Sequence, residues 1–266
     1  MISMNYERIK FSKPYNIGSI VLNSPQRLNS VDLLMLQEML DALNQCERDE
    51  DIRVVVISGE GSSFCAGADL QSLLGEGWEQ VPYLIRDMAR VAGDVALKIR
   101  NIPKPVISCL QGAAAGAGFN IALVSDFRIA ADNCKFIQAF VNVGLIPDTG
   151  GIFVLSRLLG AGKATELAMT GKTICAKEAN SLGLLTKMVP LDELERETLA
   201  FAQKLSQSPG QALRMIKTLV NRTQFSGFEN YLENEVEYQF ESAKTDDFKE
   251  GVQAFLEKRK PKFNSH

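Results

Sequence analysis

The strongest constraint on the fold of this chain is a pattern that occurs twice: a short, wholly apolar run that stops at a cluster of glycines and other small residues. Residues 53–58 (RVVVIS) are a continuous β-branched run, and residues 106–110 (VISCL) are a second apolar run introduced by Pro103 and Pro105. A strand that is apolar on successive residues buries both faces, which points to a parallel sheet covered by helices. The first run passes through Gly59, Gly61, Ser62 and Ser63 into FCAGADL. The second passes into QGAAAGAGFN and an apolar helix, IALVSD. Ile17–Leu22 (IGSIVL) and Phe127–Ala131 (FRIAA) read as further strands. Between the first strands lies VDLLMLQEMLDALNQC, where Val31, Met35, Met39 and Leu43 repeat at helical spacing behind an N-cap at Ser30. Residues 75–100 also read as helical, with Gly75 and Gly77 loosening the start. This order predicts an α/β fold with a parallel sheet.

Beyond about residue 160 the periodicity becomes helical: ATELAMTG, AKEANSLG, LDELERETLAFAQKLS, QALRMIKTLVNR, FENYLENEVEYQFESA and DFKEGVQAFLEKRK. The expectation is an α/β core over residues 1–200 and an all-helical C-terminal region over 201–266. The apolar positions Phe225, Phe228, Tyr231, Leu232, Val236 and Phe240 suggest that this region packs on neighbouring subunits.

Residue types remove several chemistries. With 29 Lys and Arg against 32 Asp and Glu the formal charge is −3, whereas a nucleic-acid binder shows a basic excess. The five cysteines, at 46, 65, 109, 134 and 175, contain no Cys-x-x-Cys pair, and the sole histidine is His266. A Cys/His metal site and a triad with an internal histidine base are therefore both disfavoured. The opening MISMNYERIKFSKPYN has no signal-peptide core, and no apolar run reaches the length of a membrane span. The expected setting is the cytoplasm.

Three segments carry candidate chemistry, each with a plain structural reading beside it. In FCAGADL, Ala66, Gly67 and Ala68 let a ligand approach the backbone, and Asp69 and Leu70 follow; a simple strand-to-helix turn would look the same. In the run from Gln111 to Gly118, a helix N-terminus formed of Gly and Ala can offer free N–H donors to an oxyanion; tight packing would also select it. In Gly144-Leu145-Ile146-Pro147-Asp148-Thr149-Gly150-Gly151, Asp148 is either a proton carrier or an N-cap.

Taken together, in this order, these segments resemble the enoyl-CoA hydratase/isomerase (crotonase) superfamily. The resemblance runs from IGSIVLNSPQRLNS to EGVQAFLEKRKPKF and is strongest in FCAGADL, in PKPVISCLQGAAAGAGFNIALVSD and in the 144–151 loop. It implies a spiral core of repeated ββα units, C-terminal helices that build a homotrimer or a dimer of trimers, and acyl thioesters of coenzyme A as substrates. Coenzyme A would enter as the substrate's carrier, with no metal or redox cofactor. The thioester oxygen would be held by the backbone N–H groups of Ala68 and Ala117. The loop with Gln26, Arg27 and Asn29, the stretch Ala66, Gly67, Asp69 and Leu70, and the turn at Gly116 would border the substrate, and Lys260 would meet the coenzyme A phosphates.

The resemblance also assigns roles to carboxylates. Hydratases of the family activate water with two glutamates; those places fall on Asn120 and Phe140 here, and neither can exchange a proton at neutral pH. Isomerase members carry an acid in the later loop, where this chain has Asp148. FIQAFVNVGLIPDTGG, with Asn120 upstream, looks most like the 1,2-epoxyphenylacetyl-CoA isomerases, and similar loop acids occur in enoyl-CoA isomerases. The expectation is an acyl-CoA isomerase that shifts a double bond or rearranges a ring thioester, with Asp148 as the single carboxylate and Phe140 in an apolar wall. A hydratase and a non-catalytic acyl-CoA-binding relative are the alternatives. Aromatic-CoA dehalogenases also need a histidine base, which this chain lacks internally.

Overall fold

The structure, a computed structural model, describes residues 6–264 apart from 74 and 76. Residues 1–5 of the opening segment, and His266, lie outside the described residues.

The two sheets are interleaved along the chain. One has six strands: β1 (Ile9–Ser12), β2 (Ile17–Leu22), β3 (Val54–Gly59), β4 (Val106–Leu110), β6 (Phe127–Ala131) and β9 (Lys187–Val189), in that spatial order. All neighbours are parallel except β1, which runs antiparallel to β2 at the edge. The second sheet holds β5 (Ala113–Ala115), β7 (Lys135–Ile137) and β8 (Thr173–Cys175). Consecutive strands go one to each sheet and a helix follows: β4, β5 and then α4 (Ala117–Val124); β6, β7 and then α5 (Gly151–Thr170). This is the ββα spiral. One turn earlier, Cys65 bridges Ala114 in parallel after β3, repeating the pattern with a single residue.

Burial explains the elements. Every residue of β4 is buried, as a strand covered on both faces requires. Helix α1 (Leu33–Arg48) turns Met35, Leu36, Met39, Ala42, Leu43 and Cys46 into the core, where each large side chain contributes roughly 1.5–3 kcal/mol. Helix α3 (Val81–Asn101) packs alongside it. On the other face of the larger sheet, α7 (Leu194–Ser206) closes a second cluster through Leu194 and Ala202.

Three boundaries differ from the sequence expectation. Helix α1 is capped by Asp32, whose Oδ1 accepts the Met35 N–H at 2.8 Å, not by Ser30. The reason is tertiary: the Val31 N–H and C=O are already bound to Gly67 and Asp69, which holds Val31 extended. The helix expected from residue 75 begins at Val81, with Pro82 in its first turn. Beyond residue 160 the chain is not purely helical, because β8 and β9, on either side of α6 (Ala176–Ser181), still belong to the core sheets.

The C-terminal helices α8 (Gly210–Gln224), α9 (Phe228–Ala243) and α10 (Asp246–Leu256) then return over the core. Phe228, Leu232 and Val236, expected on a subunit interface, are buried within this chain, where α9 lies along α3. Helix α8 exposes a group of apolar side chains, Met215, Ile216, Leu219 and Val220, whereas α9 and α10 expose Tyr238 and Phe255 singly. Among the described residues no helix is long and apolar enough to cross a membrane.

Candidate active site

Two small-residue turns lie side by side. The Cys65 N–H donates to the Ala113 carbonyl at 3.0 Å and the Ala115 N–H to the Cys65 carbonyl at 2.9 Å, so FCAGADL and the Gly/Ala run proceed in parallel. Each ends at a glycine in the left-handed region, Gly67 at φ +96° and Gly116 at φ +51°. A Cβ on Gly116 would sit 3.5 Å from the Gly67 Cα, so the turns touch through atoms that only glycine leaves free. The residue after each glycine is Ala68 or Ala117, and among the described residues neither amide N–H has a hydrogen-bond partner within the chain. Ala117 opens α4, so its N–H also carries the positive end of the helix dipole. Two unpaired donors side by side are what an oxyanion needs.

The Asp148 loop is tied to the same helix, α4, through its backbone. One turn beyond Ala117, the Asn120 side chain donates from Nδ2 to the Asp148 carbonyl at 2.7 Å and accepts from Gln138 Nε2 at 2.7 Å. Asn120 is 0% exposed, so it serves to fix the loop. Asp148 does not cap α5: the N-cap is Gly150, no side-chain bond reaches the helix, and the Asp148 carboxylate faces other partners. Its Oδ1 accepts from Thr149 Oγ1 at 2.8 Å and its Oδ2 from Gln239 Nε2 at 3.3 Å. Burial pushes its pKa up to about 6, more than these two bonds lower it. A carboxylate that titrates near neutrality can take up and return a proton. Phe140 is buried, with its ring 3.7 Å from where a Gly116 Cβ would be, and supplies an apolar wall to the turn.

The remaining expected residues divide. Ala66 N–H donates to the Leu28 carbonyl, which ties the first turn to the 25–30 loop. Leu70 is buried at the start of α2 (Leu70–Leu73). Gln26 is exposed beside Arg27, whose Nη1 donates to Asp69 Oδ2 at 2.5 Å. Asp69 is 6% exposed and its other oxygen accepts the Ser72 N–H at 3.3 Å, so its polar groups are engaged within the chain. Asn29 holds the 25–30 loop from inside. It is fully buried, with Oδ1 accepting from the Ser24 N–H and Nδ2 donating to the Glu60 and Ser63 carbonyls, so its side chain braces the loop. Lys260 is exposed in a surface cleft with Asp246, Asp247, Glu250 and Arg259, and no hydrogen bond or ion pair joins it to either turn.

Asp126, the other acid near the motif, is bound on every side. It pairs with Arg100 at 2.9 Å and Lys217 at 2.7 Å and accepts the Val106 N–H.

Two site residues were not foreseen. Gln239 and Glu235, both on α9, reach the Asp148 loop: Gln239 Oε1 accepts the Ile146 N–H at 3.1 Å and Glu235 Oε1 accepts the Gly150 N–H at 2.9 Å. A signal existed. Phe228, Leu232, Glu235 and Gln239 follow one another at helical spacing, so a carboxyl and an amide fall on the apolar face of α9.

Comparison with known proteins identifies the family. The model of the enoyl-CoA hydratase/isomerase family matches residues 12–266. A trans-2-decenoyl-[acyl-carrier-protein] isomerase of Streptococcus mutans is 36% identical over 261 residues, 98% of this chain and 99% of that protein. A 1,2-epoxyphenylacetyl-CoA isomerase of Escherichia coli is 36% identical over 247 residues, 93% of this chain and 94% of that one. Among solved structures, an enoyl-CoA hydratase from Mycobacterium avium subsp. paratuberculosis superposes with a TM-score of 0.90 at 28% identity, covering 98% of this chain and 100% of the other. The names of these relatives are divided between isomerases and hydratases.

Proposed function

The chain belongs to the enoyl-CoA hydratase/isomerase family, and from that premise we propose that it is an isomerase of acyl thioesters, using Asp148 as its one proton-carrying carboxylate. The observation that carries this reading is the pairing of a half-buried carboxylate that titrates near pH 6 with Asn120 and Phe140, where the family's water-activating glutamates would stand. Asn120 has both ends of its amide committed, and Phe140 has no proton to exchange.

The mechanism follows from the atoms. The thioester oxygen accepts from the Ala68 and Ala117 N–H groups. Asp148 takes a proton from one carbon, and the electron pair left behind moves toward that oxygen as an enolate. Each preorganised donor stabilises the developing charge by roughly 3–4 kcal/mol. Asp148, now neutral, returns the proton to a second carbon, which completes a 1,3-shift without any net uptake of protons. Phe140 and the apolar surroundings exclude water, which keeps hydration from competing. Coenzyme A serves as carrier, and no metal or redox group is required by these steps. The exposed apolar face of α8 supports assembly into a trimer or a dimer of trimers, and four buried, unpaired cysteines suit a reducing cytoplasm.

The test is a substrate panel: 3-hexenoyl-CoA, crotonyl-CoA, the ring epoxide of phenylacetyl-CoA, and a decenoyl thioester carried on acyl carrier protein, which the Streptococcus relative's name brings in. Isomerisation of at least one of these, with crotonyl-CoA hydration negligible beside it, is expected. Hydration of crotonyl-CoA at a comparable rate overturns the proposal.

A further inference from the structure

Glu235 is a buried carboxyl that the proton transfer above leaves unused. It is 4% exposed, on the face of α9 that meets the Asp148 loop. One oxygen accepts the Gly150 N–H at 2.9 Å; the other, Oε2, is buried and has no partner within hydrogen-bond geometry among the described residues. The same helix face presses the Phe228 ring against Gly150, where an added Cβ would collide with it, and sends Gln239 to Ile146 and to the Asp148 carboxylate. The loop that carries Asp148 is thus fastened on both sides of that residue by one helix.

We propose that Glu235 is a positioning residue for proton transfer: as a neutral carboxyl it holds the Asp148 loop through Gly150, and its ionisation releases the loop and ends activity at alkaline pH. The inference rests on the reading of Asp148 as the base. The physical reason is that a buried carboxylate with one oxygen unpartnered is strongly unfavourable, so the charged form must seek water. It can do so only if α9 lifts from the loop, which withdraws the Gly150 and Gln239 contacts together.

The neighbours support a neutral resting state. The loop contributes Asp148, whose negative charge opposes a second one; the Tyr231 phenol on α9 and the Gly150 N–H favour the charged form, but burial and Asp148 outweigh them. Helix α3, packed along α9, carries Arg86, which lies over the Phe240 ring, and Arg90 and Asp94, which act on each other. Helix α5 carries Arg157 over the Phe153 ring. None of these cations offsets a charge on Glu235, and burial followed by Asp148 raises its pKa to about 8.

The experiment compares pH profiles of kcat for the wild type, E235Q, E235A and D148N on the best substrate of the panel, alongside urea unfolding at each pH. The wild type is expected to lose rate below about pH 6 and again above about pH 8. E235Q cannot ionise but can still accept the Gly150 N–H, so its acid limb stays while its rate remains level to pH 9.5. E235A lacks the acceptor; its plateau falls at least 10-fold, again without an alkaline limb. Glu235 is protonated more tightly in the folded than in the unfolded chain, so its stability penalty starts above pH 4.5 and is complete above about 8. The urea midpoint of E235Q should therefore draw ahead of the wild type between pH 5 and 8.5. An alkaline limb that survives in E235Q, or a midpoint difference that does not widen, overturns the proposal. Failure of the base reading is a separate result: D148N would then be active, whatever E235Q does.

Discussion

Replacement of Asp148 by Asn gives the sharpest test, because the same change acts on rate and on stability in opposite directions. Burial raises the folded-state pKa of Asp148 from 3.8 to about 6. At about 1.4 kcal/mol per pH unit, that shift is equivalent to about 3 kcal/mol of strain in the ionised folded state. Asp148 keeps partial exposure, and solvent screening lowers the figure to about 2 kcal/mol. The sign follows from linkage. A carboxyl whose folded pKa lies above its unfolded value carries no penalty below pH 3.8, a growing one up to pH 6 and the whole of it above.

Asn is uncharged at every pH and fits the same bonds. Gln239 cannot turn its amide, since Oε1 is held by the Ile146 N–H. The oxygen of the introduced amide therefore faces Gln239 Nε2, and its NH2 group donates to the Thr149 hydroxyl. The Asp148→Asn variant should be more stable than wild type by about 2 kcal/mol at pH 7.5, roughly 2–4 °C in Tm per kcal/mol, and indistinguishable from it near pH 4. Isomerisation should drop at least 100-fold. The assays are thermal melts at both pH values and initial rates on the best panel substrate. Activity within threefold of wild type refutes the role as base, and a variant equally stable or weaker at pH 7.5 refutes the account of the buried charge.

Three further outcomes are expected. Gly116→Ala places a side chain at φ +51°, which strains the backbone by about 1–2 kcal/mol and turns the Ala117 N–H away from its target; initial rates should fall at least 10-fold with the fold retained by circular dichroism. Asp126→Asn leaves Arg100 and Lys217, with side chains 6% and 9% exposed, without their anion; urea unfolding should show a loss of about 3–5 kcal/mol. Light scattering at micromolar concentration should give a trimer or hexamer, because α8 exposes Met215, Ile216, Leu219 and Val220 on one helix; a monomer contradicts this.

What the sequence revealed and what it hid separate along a physical line. The two glycine turns were legible as turns because a positive φ is a local requirement that Gly67 and Gly116 meet, but CAGA and AGAG fit packing equally well, and only the family resemblance pointed to the Ala68 and Ala117 N–H groups. Asp148 was ambiguous. Cap and base look alike until the helix start is known, and Gly150 at φ +75° puts that start too late for Asp148 to cap it. The bracing role of Asn29 is invisible in the sequence because the groups that engage its amide come from Ser24, Glu60 and Ser63, partners up to 34 residues away. Glu235 and Gln239 were hidden for the same reason at greater range, since their bonds to the loop span 85 to 93 residues. The C-terminal helices therefore carry two duties that periodicity alone merged into one. Helix α8 leaves its apolar face exposed, whereas α9 spends its own on the chain's Asp148 loop. It follows that the wall of the site formed by α9 is supplied by the same chain, and separating subunits should leave Glu235 and Gln239 in contact with that loop.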